Sequence, residues 1–332
     1  MGPSAVAEAP AETATVVEVA FMTNRQLETG DDGLKYYSGS RGTLTVGLCR
    51  VALRDAQDSD GQLLDITPAP AAGLLSDLVE PGPDGLIVYI HGFNEDFERS
   101  CRRAALLQQR VGLEGRMLLF SWPADRKYVT YASDAGDLAW SLPDFRAVLE
   151  GLAARHGDGN VSILAHSLGA RATVEVLARM GRGEDRAGPV FRDVVLVAPD
   201  IARSRFADLL EAVEKRADQL TIYASEYDLA LRLSSIVNTS ARLGITGGEG
   251  SRSPKVQLVD VSGTGMHSLS GHVYHLHNPA VTEDIARLVG GSKATADRAW
   301  ERVAGPLPGF WQLLPVNGDR TATADEDGSG KL

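Results

Sequence analysis

The segment Val161-Ser-Ile-Leu-Ala-His-Ser-Leu-Gly-Ala-Arg171 runs from a short apolar stretch directly into a helical pattern. The apolar stretch is typical of a strand buried on both faces, and Ser167 stands on the turn that follows it. A serine on such a sharp turn is strained, and its Oγ projects above the sheet. Strand and helix approach each other there, so the turn needs small residues at the positions of Ala165 and Gly169. The pattern predicts a nucleophile at Ser167, although a serine that caps the helix would give a similar pattern.

Strand and helix patterns alternate through the rest of the chain. Strands are predicted at 16–22, 42–53, 86–90, 117–120, 161–165, 194–198, 220–224 and 256–261, and helices at 97–111, 132–155, 169–180, 204–217, 229–236 and 280–289. Pro143 is expected to kink or divide the second helix, and 256–261 is expected to be the last strand. The alternation predicts an α/β fold with a mainly parallel sheet and helices on both faces. Functional groups collect at the carboxyl ends of the strands in such a sheet.

The two ends of the chain differ in composition from its middle. Residues 1–15 are rich in Ala, Glu and Pro, and residues 315–332 are rich in Gly, Asp and Thr, so both segments are expected to be disordered. No linker-like stretch interrupts the alternating patterns. We therefore expect a single domain over 16–314, with N-terminal strands in 16–53 and a core over 86–289.

Charge and composition argue against some classes of binding partner. The 332 residues carry a formal net charge of −11, and an acidic surface argues against nucleic acid and anionic membranes as partners. No apolar run approaches the ~18 residues of a membrane helix, and the N-terminus lacks the pattern of a secretory signal. We therefore expect a cytoplasmic protein without membrane insertion. Cys101 lies on the apolar stripe of a predicted helix and is expected to be a buried free thiol.

An activated serine needs a base within hydrogen-bond reach and an acid that orients the base. In folds that use this serine turn, the acid and then the histidine follow the serine along the chain. Asp228 follows the strand predicted at 220–224, and His272 lies in the loop after 256–261, so the two satisfy that order. Asp228 has the alternative role of a helix cap, and His272 that of a surface loop residue. Asp200, which follows the preceding strand, is the alternative acid.

The negative charge that develops on a reacting carbonyl oxygen requires preset N–H donors. The backbone N–H of Leu168, at the start of the helix after the serine, is one candidate. The backbone N–H of Phe93 is the other, because it follows an early strand in the loop His91-Gly-Phe-Asn94. Gly92 lets the backbone come close, and His91 is expected to bond the loop rather than to act as a second base.

Several segments of the chain together resemble the DUF900 group of α/β hydrolases. The similar segments are Val88-Tyr-Ile-His-Gly-Phe-Asn94, Phe120-Ser-Trp-Pro123, Leu164-Ala-His-Ser-Leu-Gly169, Ala198-Pro-Asp-Ile201, the Ser-x-x-Asp-x-Ala-Leu segment around Asp228, and Thr23-Asn-Arg25. The likeness spans residues 21–289. It implies the α/β-hydrolase fold and an esterase-like or lipase-like hydrolase whose physiological substrate is poorly defined.

These observations predict a serine hydrolase that cleaves a small-molecule carboxylic ester or related acyl bond through an acyl-enzyme on Ser167, without a cofactor. The same triad serves an acyltransferase or a thioesterase, and the choice depends on how the pocket admits water. A non-catalytic binding protein on the same fold is the alternative from another class. Such a protein usually lacks one member of the triad, whereas all three are available here.

A histidine-rich segment raises the further alternative of a metal site. His272, His275 and His277 lie close together in the chain, with His267 nearby, but no carboxylate-rich motif and no His-Glu-x-x-His accompany them. No metal is therefore predicted. Residues 244–250 are glycine-rich and predict a flexible surface loop that serves as a lid near the site. The aromatic residues that either line the pocket or pack in the core are Trp122, Tyr128, Tyr131 and Trp140, with core packing expected for Trp140.

Overall fold

A sheet of eleven strands forms the centre of the fold. The computed structural model describes residues 14–54, 61–70, 85–113, 116–124, 131–180, 189–247, 250–266, 268–290 and 299–316. The strands are β1 (Thr15–Thr29), β2 (Lys35–Leu53), β3 (Gln62–Pro70), β4 (Leu86–Ile90), β5 (Met117–Ser121), β6 (Val161–His166), β7 (Phe191–Val197), β8 (Ala217–Ala224), β9 (Val256–Asp260), β10 (Trp300–Ala304) and β11 (Phe310–Pro315). The helices are α1 (Phe97–Val111), α2 (Tyr131–His156), α3 (Leu168–Arg179), α4 (Arg203–Glu214), α5 (Leu229–Val237), α6 (Tyr274–His277) and α7 (Pro279–Val289).

The order of the strands in the sheet is β10-β11-β9-β8-β7-β6-β4-β5-β1-β2-β3. The strands from β11 to β1 in this order run parallel to one another. Antiparallel pairing occurs at the edges, where β10 pairs with β11, β2 with β1, and β3 with β2. The chain passes from β4 to β5 on one side of β4 and then to β6 on its other side. The carboxyl ends of β4 and β6 therefore flank the switch point at which open α/β sheets bind their ligands.

Alternate residues of the buried strands contribute to two hydrophobic cores. In β4, Leu86, Val88 and Ile90 belong to one core, and Ile87 and Tyr89 belong to the other. The first core includes residues of α2, α3 and α4, and the second includes residues of α1, α6 and α7. Because successive side chains of a strand point to opposite faces, a continuous apolar run can bury both faces of the sheet. The predicted mainly parallel sheet with helices on both faces is confirmed.

Local signals set the bounds of the helix that follows β4. The Asp96 carboxylate accepts a hydrogen bond from the Arg99 N–H at 2.8 Å and so caps the first turn of α1. The helix ends before Gly112, whose φ of 75° is the left-handed conformation that glycine adopts without strain. Cys101 is fully buried in this helix, as its place on the apolar stripe predicted.

Three details of the predicted secondary structure are wrong. The strand β9 is not the last, because β10 and β11 extend the sheet beyond it, and β3 was not predicted at all. The division of the helix at Pro143 is absent, since α2 runs as one element from Tyr131 to His156, and a kink at Pro143 stays a prediction. Buried apolar residues on both sides of the proline, such as Leu138 and Phe145, fix both parts of α2 on the same core.

The structure describes only part of the segments for which disordered ends and a single domain were predicted. Residues 1–13 and 317–332, which make up most of the two segments predicted to be disordered, lie outside the described residues. The strands of the one sheet extend from Thr15 to Pro315. The single domain over 16–314 stays a prediction.

Candidate active site

Ser167 stands on a strained turn between β6 and α3. Its φ of 54° and ψ of −117° lie outside the regions that an L-residue ordinarily adopts. Its side chain makes no capping hydrogen bond to α3, so the alternative role of a helix cap finds no support in the structure. The need for a small residue two positions later is visible at Gly169, where a Cβ would lie 2.5 Å from the carbonyl oxygen of His91. Strand and helix are therefore too close for any side chain at Gly169.

Backbone strain recurs at the carboxyl ends of three neighbouring strands. Asn94, Ser167 and Ala198 have φ values of 61°, 54° and 46°, and they follow β4, β6 and β7 respectively. Positive φ costs non-glycine residues energy, and strained residues of this kind cluster at functional sites. The strain marks the same edge of the sheet at which the parallel topology places a ligand site.

Asp228 and His272 form a buried pair beside this edge. The Nδ1 of His272 lies 2.7 Å from Oδ2 of Asp228, and the carboxylate of Asp228 is fully buried. The other oxygen, Oδ1, accepts a hydrogen bond of 2.9 Å from the N–H of Leu231 and so caps α5. Asp228 thus caps α5 and also binds His272, while its role as the acid of a catalytic triad stays a prediction. Because Nδ1 of His272 is bound to the acid, Nε2 is the nitrogen that remains for a reacting hydroxyl.

The pKa of His272 reflects this pairing. Burial of the imidazole lowers its pKa, but the charge of the Asp228 carboxylate and its hydrogen bond raise it by more, so the net pKa lies above the usual value. The side chain of His272 is still 15% exposed, whereas that of Asp228 is fully buried. The imidazole can therefore exchange protons at the surface while the acid stays fixed beneath it.

Asp200 lies next to the serine turn, but its carboxylate is engaged elsewhere. Its backbone N–H donates to the carbonyl oxygen of Ser167 at 3.2 Å. Its Oδ1 accepts a hydrogen bond of 2.7 Å from the Ser234 hydroxyl and forms an ion pair of 3.2 Å with Arg242. The geometry therefore favours Asp228 as the partner of His272, and the choice of acid stays a prediction until it is tested.

The catalytic histidine candidate is held against the residue before the serine. His166 Nε2 lies 3.1 Å from the carbonyl oxygen of His272 and donates to it, and the centroids of the two imidazole rings are 4.6 Å apart. No hydrogen bond joins the Ser167 hydroxyl to His272 within the part of the chain that the structure describes. Catalytic hydrogen bonds of this kind often tighten only when substrate binds. The contact with His166, which sequence reasoning missed, joins His272 to the residue that precedes the predicted nucleophile.

A third imidazole, that of His275, also contacts His166. The centroids of the His166 and His275 rings are 4.3 Å apart, and both side chains are buried. Burial, followed by the charges of neighbouring groups, lowers the pKa of each well below the usual value. Across the described residues, no group of three or more His, Cys, Asp or Glu side chains is arranged to hold a metal ion. His267 lies outside the described residues.

The loop after β4 approaches the nucleophile closely. A Cβ at Gly92 would lie 2.8 Å from the Cβ of Ser167 and 2.9 Å from Nδ1 of His166, so only glycine fits this contact. Phe93 follows directly, and Leu168 is the first residue of α3, whose first N–H groups have no partner within a helix. The two predicted oxyanion donors therefore belong to segments that meet at Ser167, since Phe93 follows Gly92 and Leu168 follows the serine, and their role stays a prediction.

Replacing Gly92 by alanine is expected to lower kcat by about 10- to 100-fold, because the new methyl group must push the loop or Ser167 away from its position. The measurement is kcat for an activated ester, together with the thermal midpoint of unfolding. Gly151→Ala is the matched control, since a Cβ there in α2 meets nothing within 4 Å. The control is expected to keep wild-type kcat. Equal kcat in both variants would contradict the contact.

Two aromatic predictions can be compared with the structure. Trp122 is fully buried, its Nε1 donates to the carbonyl oxygen of His91 at 3.0 Å, and its ring is stacked on the His91 ring. It supports the loop after β4, as His91 itself does. Trp140 was expected in the core, which is wrong: it is 36% exposed, and the Arg41 guanidinium lies 5.3 Å above its ring. Tyr128 and the side chain of Tyr131 lie outside the described residues.

The glycine-rich segment 244–250 is anchored at its start. Gly244 accepts a hydrogen bond from the Ser225 N–H and donates one to the carbonyl oxygen of Pro199. A Cβ at Gly244 would lie 2.6 Å from the carbonyl carbon of Ala198, so the segment packs tightly where it begins. Residues 248 and 249 lie outside the described residues, and a role of this segment as a lid stays a prediction.

The fold is that of the α/β hydrolases: a mostly parallel sheet covered by helices on both faces. A serine on a strained strand-to-helix turn and a buried Asp–His pair are also typical of this class. The chain belongs to the family described as alpha/beta hydrolase of unknown function (DUF900), which matches residues 72–291. Membership supports hydrolase activity in general. Among the helices described, none is long and apolar enough to cross a membrane.

Similar solved structures include three hydrolases. S-formylglutathione hydrolase (FrmB) from Staphylococcus aureus is 13% identical, with a TM-score of 0.37, over 83% of this chain and 97% of its own. A putative dienelactone hydrolase from Klebsiella pneumoniae subsp. pneumoniae MGH 78578 is 14% identical, with a TM-score of 0.39, over 83% and 99%. A hyperthermophilic esterase from the archaeon Pyrobaculum calidifontis is 12% identical, with a TM-score of 0.30, over 84% and 85%. A comparison with curated proteins gave no match.

Proposed function

We propose that the protein is a serine hydrolase that cleaves a small-molecule carboxylic ester, or a related acyl bond, through an acyl-enzyme on Ser167. The observation that carries the proposal is the buried Asp228–His272 pair, in which His272 also contacts His166, the residue before the strained Ser167. A fold alone does not establish an activity. The proposal therefore rests on this arrangement of side chains.

In the proposed mechanism His272 accepts the proton of the Ser167 hydroxyl as its oxygen attacks the ester carbonyl. Asp228 holds the imidazole in the required tautomer and stabilises the imidazolium that forms. The N–H groups of Phe93 and Leu168 bind the negative oxygen of the tetrahedral intermediate. His272 then returns the proton to the leaving alcohol, which departs as the C–O bond breaks. A water molecule, activated by the same imidazole, releases the carboxylic acid and restores Ser167.

Two alternatives differ from this proposal in what they predict for the products. An acyltransferase uses the same acyl-enzyme but passes the acyl group to an alcohol or amine, and a thioesterase differs in the atom that leaves. A binding protein would release no product. The strain stored at Ser167 and the burial of Asp228 favour catalysis, because both cost stability and neither is needed for binding alone.

The test is partitioning between water and an added alcohol. The p-nitrophenyl and phenyl esters of one acyl group are supplied with a fixed concentration of the alcohol, and the ratio of acid to transferred ester is measured. Both esters give the same acyl-enzyme once the leaving group has departed, so we expect the same ratio of acid to transferred ester from both. Different ratios would contradict the acyl-enzyme. A folded protein that hydrolyses no ester across a range of acyl lengths would support the binding protein.

A further inference from the structure

The segment Thr23-Asn24-Arg25 lies in β1 and plays no part in the mechanism above. All three side chains are buried, and Arg25 is only 1% exposed. The pairing of β1 with β2 shifts register on both sides of Arg25. A buried guanidinium loses the favourable interaction of its charge with water, so the protein must supply hydrogen-bond acceptors in a specific arrangement. The acceptors around Arg25 are therefore the observations from which its role can be inferred.

The guanidinium of Arg25 joins the segments that follow β4 and β5. Its Nη2 donates to the carbonyl oxygen of Glu95 at 2.7 Å, in the loop that contains Gly92. Its Nε donates to the Ser121 hydroxyl at 3.0 Å, and its Nη1 donates to the carbonyl oxygen of Ala124 at 2.9 Å. A planar guanidinium fixes these three acceptors at defined directions, which the single ammonium of a lysine cannot do.

Ser121, which accepts a hydrogen bond from Arg25, also contacts His91 at the start of the same loop. The Ser121 hydroxyl lies 3.3 Å from Nε2 of His91, and Nδ1 of His91 lies 2.9 Å from the carbonyl oxygen of Gly92. Because a carbonyl only accepts, Nδ1 of His91 carries the proton and Nε2 is an acceptor. The single proton of the Ser121 hydroxyl lies between this Nε2 and the Ser100 hydroxyl, which is 3.0 Å away and donates its own proton to the carbonyl oxygen of Phe97. Burial, followed by the charge of Arg25, lowers the pKa of His91 well below its usual value, which keeps this neutral tautomer.

Residues 91–96 are thus held at both ends by one buried side chain. Glu95 is bonded to Arg25 directly, and His91 is bonded to it through Ser121. Between these two points lie Gly92, whose Cα faces Ser167, and Phe93. A shift of about 1 Å in a preset donor can cost as much as 100-fold in rate.

We propose that Arg25 is a positioning residue that fixes the 91–96 loop so that the Phe93 N–H points at the oxyanion formed on Ser167. This inference rests on the proposed function. Arg25 does not touch the substrate in this account, because the side chain is buried beneath the loop. It acts on the transition state through the backbone of the loop. A merely structural Arg25 would affect stability alone.

The experiment compares Arg25→Lys with wild type in two kinetic measurements. The first is kcat and KM for an activated ester, and the second is the inhibition constant of an aryl trifluoromethyl ketone, whose serine adduct bears an oxyanion. We expect kcat to fall about tenfold or more with KM changed less than about threefold. We expect the inhibition constant to rise by a factor similar to the fall in kcat/KM, because the adduct resembles the transition state.

Arg302→Lys is the matched control, since Arg302, with a side chain 15% exposed, also forms an ion pair, with Asp284, but lies near the opposite edge of the sheet. It is expected to lower the thermal midpoint of unfolding and to leave kcat and the inhibition constant unchanged. If Arg25→Lys does not fold, Ser121→Ala decides by the same two measurements, with an expected loss of about three- to tenfold in kcat.

A folded Arg25→Lys, or Ser121→Ala in its place, with wild-type kcat and inhibition constant would overturn the positioning role while the serine hydrolase stands. Equal losses of kcat and of inhibitor binding in Arg302→Lys would also overturn the positioning role, since they would show a general effect of instability. A wild-type protein that hydrolyses no ester would overturn the proposed function and this inference together. The two failures are therefore distinguishable.

Discussion

Ser167→Ala is expected to lower kcat for ester hydrolysis by roughly 10³- to 10⁶-fold, with a thermal midpoint close to that of wild type. The large effect follows because no other group can form the acyl-enzyme, whereas the residual rate comes from the oxyanion donors and substrate binding. The side chain of Ser167 makes no capping bond to α3, so its removal leaves the helix start intact. The measurement is product release by both proteins at matched concentrations.

Ser162→Ala provides the matched control for this change. Ser162 is buried in the same strand, β6, at the end away from the site, and its hydroxyl lies 3.5 Å from the Asp193 carboxylate. We expect it to keep wild-type kcat. Activity of Ser167→Ala above about one part in a hundred of wild type, on a verified sample, would exclude Ser167 as the nucleophile.

Asp228→Asn and Asp200→Asn are expected to have opposite consequences. Asparagine at 228 can still accept the Leu231 N–H and cap α5, but it cannot hold His272 in the required tautomer, so kcat should fall by about 10³- to 10⁴-fold. Asparagine at 200 leaves the Arg242 charge buried without its ion-pair partner. That variant should therefore lose stability and keep kcat within about threefold. The measurements are kcat and the thermal midpoint of unfolding.

The pH profile separates the two acids independently. The base must be neutral to accept a proton, so kcat/KM of the wild type should fall as the pH drops through the pKa of His272, which is raised above 6.5 chiefly by Asp228. In Asp228→Asn that raising effect is lost, so the acid limb of the residual activity should move to lower pH. Equal losses of kcat in the two variants, or an acid limb that stays in place, would show that the assignment of Asp228 is wrong.

The central part of the fold was predictable because its signals are local. The apolar runs of β4 and β6 are buried on both faces, and α1 carries its own cap and its own glycine stop. The serine turn was predictable because Gly169 must be small where the helix meets β4. Asp228 was predictable as a candidate because it follows a strand and precedes His272 in the chain order that the serine turn requires. The cap of α5 and the contact with His272 do not compete, because they use different oxygens of the carboxylate.

The edges of the sheet gave weaker signals. β10 has no buried residue and no regular alternation of exposure, and its glutamate and arginine obscure an apolar pattern. β1 extends past its predicted end through the register shifts near Arg25. Trp140 was misassigned because a large apolar ring suggests a core position, whereas Arg41 covers it at the surface. Each of these features depends on partners that the local sequence does not reveal.

The contacts that complete the site join residues far apart in the chain. Arg25 meets Glu95 and Ser121, which are 70 and 96 positions away, and His166 meets His272 at a separation of 106. The Thr23-Asn24-Arg25 segment was visible in the sequence only as part of a family resemblance. The role proposed for Arg25 rests on acceptors that only the folded structure brings to its guanidinium.

Covalent labelling with a fluorophosphonate, followed by peptide mapping, asks whether Ser167 is activated. Wild type and Ser167→Ala are treated under the same conditions, with the fold of each confirmed by circular dichroism. We expect a single phosphonyl adduct on the peptide that contains Ser167, and no adduct on that peptide in the variant. A folded wild type that remains unlabelled, or an adduct that persists after Ser167 is replaced, would contradict an activated serine at this position.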